Sequence, residues 1–376
     1  MAKSYVKLGE LASYINGYAF KPKDRGTDGL PIIRIQDLTG SSNDRGFYKG
    51  NYPSKIEINT GDVLISWSAS LGVYIWNNGK ALLNQHIFKV VFDKKEIDKD
   101  YFVYAVQFSL NKMKRLTHGA TMKHVVKKDF ENVLIPYPSL EEQRKIAYVL
   151  DKLKISIGKK TSELNKLDEL IKARFVEMFG DPQDSKYKWK KSTIEKCCTL
   201  KSGKTLPRNI ENEGGNIPYV KVKDMNSLEN TTYITTSTRF VSDKTANKSI
   251  FPVGTVIFPK RGGAIGTNKK RLTKVPICAD LNIMGVIPDN SRISSYYLFE
   301  YFNMVDLNTL NNGSSVPQIN NKDINPLNIN IPPLSLQNEF ANFVQQVDKS
   351  KFENIVYLNK TLSSKILSQL GDAIRD

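Results

Sequence analysis

IPYPSLEEQRKIAYVLDKL, residues 135–153, and INIPPLSLQNEFANFVQQV, residues 329–347, are two versions of one segment. Each leads from a short apolar run through proline into apolar residues at helical spacing, by steps of three, four or seven in the first copy and of three, four or eight in the second, as on one helix face. In the first copy the stripe is Ile146, Leu150, Leu153, Ile157, Leu164, Leu167, Ile171, Phe175 and Met178. In the second it is Phe340, Val344, Val347, Ile355, Leu358, Leu362, Ile366 and Leu370. Proline and serine precede the first helix, Glu141 and Glu142 sit where the helix dipole favours negative charge, and Gly180-Asp181-Pro182 ends it. The second copy has Ser335 and Leu336 in place of the glutamates and is expected to end near Gly371.

Working outward, the whole chain repeats. HGATMKHVVKKDFENVLIPYPSLEEQ (118–143) answers NGSSVPQINNKDINPLNINIPPLSLQ (312–337) without a gap. VKLGELASYINGYAF (6–20) answers KSTIEKCCTLKSGKTL (191–206), and GLPIIRIQDLTG (29–40) answers GNIPYVKVKDMNS (215–227). TGDVLISWSASLG (60–72) answers VGTVIFPKRGGAIG (253–266), and NQHIFKV (84–90) answers DLNIMGV (280–286). Gly17 pairs with Gly203, Pro31 with Pro218, Asp37 with Asp224, Gly61 with Gly254 and Gln143 with Gln337. Matches in the same order through both halves mean a duplicated module.

Each module reads as short strands and glycine turns followed by a helix of ~38 residues, ~57 Å long at 1.5 Å per residue. A compact domain of ~150 residues measures only ~30–40 Å, so the two helices are expected to extend beyond their domains and pair as a coiled coil. The expected fold class is α/β, mixed α+β: domains at 1–138 and 181–332, spacer helices at 139–180 and 333–376, and an internal pseudo-twofold.

With 376 residues and 40% hydrophobic content the chain has material for more than one core. A net charge of +17 favours polyanionic partners, nucleic acid first. Cys197, Cys198 and Cys278 offer neither a disulfide framework nor a metal spacing, which fits a reducing cytoplasm. No apolar run reaches the length of a membrane span, so no membrane is expected.

Catalytic signatures are missing. KSGKTL (201–206) lacks the glycine a phosphate loop needs, Cys198 standing in its place. His86, His118 and His124 have no metal-ligand spacing. NIPYV (216–220) lacks the second proline of the motif with which adenine methyltransferases grip a flipped base. No catalytic residue and no metal are assigned; binding is the expected activity.

The residues also resemble a known family, the specificity subunits of type I restriction-modification systems, over almost the whole chain. The resemblance rests on L-G-E-L…G at Leu8–Gly17, on Gly-Leu-Pro-Ile-Ile-Arg-Ile at Gly29–Ile35, and most specifically on residues 135–153. It implies two similar target recognition domains held apart by two antiparallel helices, reading an asymmetric, split site in double-stranded DNA. It implies as partners two modification (methyltransferase) subunits, and restriction subunits that cut with ATP. This chain would carry no cofactor itself; S-adenosylmethionine would belong to the methyltransferase, ATP and Mg to the restriction partner. The helical pair would set the half-site spacing, near one DNA turn of ~34–36 Å.

Bases are read by side chains at their edges, while Lys and Arg on phosphates set register. Loop residues of the first domain expected to do this are Lys21, Lys23, Arg25, Ser66, Trp67, Ser68, Ser70, Asn84, Gln85, His86, Thr121, Lys123 and His124. In the second they are Lys204, Arg208, Lys260, Arg261, Asp280, Asn282, Ser314, Ser315 and Gln318. The amides of Asn84 and Gln85 suit adenine, and Arg25 suits guanine or phosphate. Because SWSASLG stands opposite PKRGGAIG, the half-sites should differ. Charge and duplication also suit an RNA-binding or ribosome-associated protein, which would need exposed aromatics to stack on unpaired bases. A nuclease or methyltransferase fragment would reveal itself by catalysis of the isolated chain.

Overall fold

The computed structural model describes residues 4–41, 44–115, 124–181, 189–211, 213–247, 249–310 and 316–374; at 111, 112, 115 and 358–374 it describes the backbone only. Two compact units emerge: Met1–Lys159 with Tyr357–Asp376, and Lys160–Val356.

The first unit contains a four-stranded antiparallel sheet in the order Ser13–Asn16, Ile87–Val91, Val63–Ser66, Gly72–Ile75. A second sheet orders Phe47–Tyr48, Leu30–Ile33, Ala81–Leu83 and Glu57–Ile58, with the two middle strands parallel. Tyr5–Lys7 pairs with Leu134–Pro136. Val63–Ser66 is buried on both faces, which explains its unbroken apolar run.

The second unit repeats the central pairings, although its sheets have five strands, in the order Cys198–Ser202, Ile283–Pro288, Val256–Pro259, Arg271–Thr273, Tyr233–Ile234, and three, in the order Phe240–Val241, Ile217–Val220, Cys278–Ala279. Asn16 faces Phe88 as Ser202 faces Met284; Ser66 faces Ile87 as Pro259 faces Ile283; Ile33 faces Leu83 as Val220 faces Ala279. Gly17 and Gly203 occupy one niche twice: a Cβ on Gly17 would lie 2.0 Å from the Asn84 carbonyl oxygen, and one on Gly203 2.1 Å from that of Asp280. No side chain fits beneath either crossing, so the paired glycines are required by the close approach of two backbones.

The central helix is Leu140–Phe179. The Ser139 hydroxyl accepts the Glu142 N–H at 3.3 Å, and Gly180, at φ +82°, terminates the helix. As expected, the helix extends beyond its own domain, and each of its ends is built into a core. Ile146, Ala147, Leu150 and Leu153 pack with Phe102, Val106 and Phe130 in the first unit, while Ile171, Phe175 and Phe179 pack with Tyr297, Leu298 and Phe340 in the second. Between them Ile157, Leu164 and Leu167 are only half-buried. The stripe is one, yet its burial partners change along its length, and compactness therefore divides inside the helix.

The C-terminal helix, Leu334–Ile374, runs through Gly371, which the sequence marks as its end. Gly180 stops its helix because it adopts a left-handed conformation with a proline two residues on; no proline follows Gly371. Within the second unit the helices run antiparallel: Lys160 meets Asn354 at 3.0 Å, Lys351 meets Asp168 at 2.5 Å and Arg174 meets Glu339 at 3.0 Å.

Candidate functional site

In each unit one central strand runs out into a loop flanked on both sides. In the first, the Trp67 N–H donates to the His86 carbonyl at 3.1 Å and the Trp67 carbonyl accepts the Val125 N–H at 2.9 Å. Ser68 bridges His124, and Tyr18 bridges Asn84. In the second, the Lys260 N–H donates to the Asn282 carbonyl at 2.8 Å, the Lys260 carbonyl accepts the Ile319 N–H at 2.9 Å, and Arg261 bridges Gln318. The platform is one construction with two sets of side chains.

The first set is aromatic and neutral. The Trp67 ring lies 4.9 Å from His86, 5.7 Å from Phe88 and 6.4 Å from His124. His86 and Ala69 hold φ of +75° and +56°, strained for residues with a Cβ. Burial, then His124, pulls the His86 pKa down, which favours its uncharged form. Among the described residues Trp67 Nε1, Ser68 Oγ and His86 Nδ1 are buried without a hydrogen-bond partner. Gln85 is exposed, and Asn84 Oδ1 accepts the Gln85 N–H at 2.9 Å.

The second set is cationic. Lys260 is half-buried and donates to Ser202 Oγ at 2.8 Å; burial, then Arg261, lowers its pKa. Arg261 is exposed, one guanidinium nitrogen 3.1 Å from Gln318 Oε1. Lys204 is exposed, its carbonyl accepting the Tyr219 hydroxyl at 2.9 Å, and exposed Arg208 opens the short helix Arg208–Glu211.

Several expected readers turn inward. Asp280 is 7% exposed; Oδ1 accepts the Asn282 N–H at 3.0 Å and its side-chain amide at 2.6 Å, and Oδ2 accepts the Tyr219 hydroxyl at 3.4 Å. Asp280 shapes the turn that presents Asn282, leaving its carboxylate no free face. Ser66 is buried and donates to the Ser70 carbonyl, closing the loop that exposes Ser70. Lys21, Lys23 and Arg25 are brought to the margin of the other sheet, where Arg25 pairs with Asp44 at 3.0 Å and holds that carboxylate below its usual range. An edge-to-face run, Tyr18–Phe20–Tyr48, links that margin to the Asn84 loop. Thr121, Lys123, Ser314 and Ser315 lie outside the described residues.

Sequence reasoning missed Tyr18, 45% exposed, and Ser202 and Tyr219, which anchor Lys260 and Lys204. The repeat held a signal for Tyr18: it follows Gly17 as Lys204 follows Gly203. Among the described residues no three His, Cys, Asp or Glu side chains gather as a metal site, and no helix is long and apolar enough to cross a membrane.

Comparison with known families gives two matches to one model, the type I restriction modification DNA specificity domain, over residues 3–169 and 186–363. The chain belongs to this family. The Escherichia coli type I restriction enzyme EcoBI specificity subunit is 28% identical over 169 residues, 44% of this chain and 35% of the relative. The Methanocaldococcus jannaschii MjaVIII specificity subunit is 28% identical over 50% of this chain and 44% of its own length, so this chain spans less than half of either relative. The MjaIX specificity subunit of the same organism is 25% identical over 84% of this chain and 76% of its own. In fold, the S subunit of the M. genitalium type I system is similar with a TM-score of 0.59 at 16% identity, covering 100% of this chain and 97% of that one. A chain of a type I R-M system solved for its complex assembly and conformational transition is similar with a TM-score of 0.54 at 17% identity, covering 100% and 98%. The two family matches fall one on each module, as the internal repeat requires.

Proposed function

We propose that this specificity-family chain is the non-catalytic DNA-recognition subunit of a type I restriction-modification enzyme. It binds an asymmetric, bipartite site in double-stranded DNA, one half per unit, and holds two modification subunits and the restriction subunits on it. The observation that supports this best is the repeated platform with unlike side chains: Trp67, Ser68, Gln85 and His86 in one unit stand where Lys260, Arg261, Leu281 and Asn282 stand in the other. Similarly paired strands present different edges, so two copies of one scaffold read two different sequences. The net charge of +17 supplies the phosphate attraction that such reading needs. Methyl transfer from S-adenosylmethionine, and cleavage driven by ATP with Mg, belong in this reading to the partner subunits, in the cytoplasm where the DNA is.

The test is long-read mapping of adenine methylation in cells expressing this chain with the methyltransferase subunit encoded beside it. A new asymmetric, split motif that needs both proteins supports the proposal. A stable complex that methylates nothing, or no complex at all, overturns it.

A further inference from the structure

Leu281 is a 40% exposed leucine at the tip of the turn Asp280–Asn282. An exposed leucine alone is ordinary; its setting is not. The turn is held from both ends: the Asp280 N–H donates to the Val220 carbonyl at 2.9 Å, its carbonyl accepts the Ile283 N–H at 2.9 Å, and the Asn282 carbonyl accepts the Lys260 N–H at 2.8 Å. The Asp280 carboxylate faces inward to Asn282 and Tyr219. The exposed group at the tip of this turn is an isobutyl side chain; the turn is tied through the Asn282 carbonyl to Lys260, the residue before exposed Arg261, and through the Ala279 carbonyl to the N–H of exposed Lys204 at 2.8 Å.

The equivalent position in the first unit is Gln85, exposed on the equivalent turn between Leu83 and Ile87. One aligned position thus carries an amide in one unit and a branched alkyl group in the other, although the turns differ in that His86 holds a positive φ and Asn282 does not. In the major groove an amide pairs with the donor–acceptor edge of adenine, whereas the apolar feature available to an alkyl group is the C5-methyl of thymine. Resting on the DNA-reading function proposed above, we infer that Leu281 is a specificity-determining residue that recognises a thymine methyl in the second half-site, with Gln85 its polar counterpart in the first.

The experiment uses the assembled methyltransferase complex and duplexes carrying the motif mapped by methylation. Each thymine of the second half-site is replaced in turn by deoxyuridine, which removes only the methyl group. With the unaltered chain, one position should weaken binding about fourfold, the equivalent of one buried methyl at about 0.8 kcal/mol. With Leu281→Ala the same replacement should have no effect, and Leu281→Gln should alter methylation preference at that base pair alone. Thermal melting of both variants checks that the exposed change leaves the fold intact. A deoxyuridine effect that persists in Leu281→Ala, a second half-site without a sensitive thymine, or a loss in Leu281→Ala that ignores the methyl group, as an intercalating wedge would give, each overturns the inference. In all three the split motif itself persists, so the broader function stands; absence of any motif would be the failure of that function instead.

Discussion

The side-chain oxygen of Gln337 accepts the Ser294 backbone N–H at 2.7 Å, while its amide nitrogen donates to the Pro332 carbonyl at 2.9 Å. Gln143 does the same in the first unit, with the Asp98 N–H and the Pro138 carbonyl, both at 2.9 Å. The start of each long helix is thereby fastened to the start of a shorter helix of its unit, Ser295–Met304 in the second and Lys99–Arg115 in the first.

Both glutamines are almost fully buried, so their replacement leaves a backbone donor and an acceptor unpaired at Gln143, and at Gln337 a donor and two acceptors, since its amide also donates to the Arg292 carbonyl at 3.1 Å. Gln143→Leu should destabilise the first unit by about 2–6 kcal/mol at about 1–3 per orphaned group, and Gln337→Leu the second by at least as much. Urea titration followed by circular dichroism measures this; a change within error would show the bonds contribute nothing net.

Gly203→Ala places a methyl against the Asp280 carbonyl, and Gly17→Ala places one against Asn84. Each should cost about 1–3 kcal/mol as an overpacked contact. Each should also blur one half-site in the methylation motif while leaving the other sharp, since it displaces one reading turn.

Arg261→Ala removes the exposed guanidinium beside Gln318. Binding should weaken by about 1–3 kcal/mol with relaxed choice at one base of the second half-site if Arg261 meets a base edge. Uniform weakening with the log–log salt slope reduced by about 1 identifies a phosphate contact instead. Unchanged affinity and preference remove it from the interface.

Glu300 lies buried beside a 340 Å³ cavity also lined by Asp168, Lys172, Lys270, Asp348 and Lys351. Burial pushes its pKa above the usual carboxylate range, despite the Asn303 hydrogen bond and Lys351, which act the other way. A carboxyl group with a raised folded-state pKa favours the fold below its unfolded pKa, near 4.5, and that contribution is lost as pH rises through the folded value. Glu300→Gln keeps the shape without the charge and should melt higher than the parent at pH 7, the gap closing toward pH 4. A lower melting temperature at pH 7 would mean that the ionised form is stabilised by its lysine neighbours.

The duplication, the two long helices and the capping signals at Ser139 and Gly180 were legible because each is encoded in residues close together or in a fixed spacing. The pairing of Gly17 with Gly203 was legible as a match, but its cause, a carbonyl about 2 Å from where a Cβ would sit, exists only once distant strands cross. Loops were correctly singled out as the place where the modules differ. Which groups in them face outward was not legible: Asp280, Ser66 and Ser68 read as polar loop residues and are buried, while Leu281, which the reading of the loops passed over, is exposed.

By itself the sequence determined that this protein is two copies of one strand-rich module, each leading into a long helix, because periodicity and repeat are properties of order along the chain. Tertiary structure alone decided where those helices are core and where half-buried, since a single apolar stripe does not name its partners. It likewise decided that one platform would carry a packed Trp67–His86 pair and the other Lys260 and Arg261. Side-chain direction and ionisation follow from sheet register and burial, and both arise only when residues far apart in the chain are brought together.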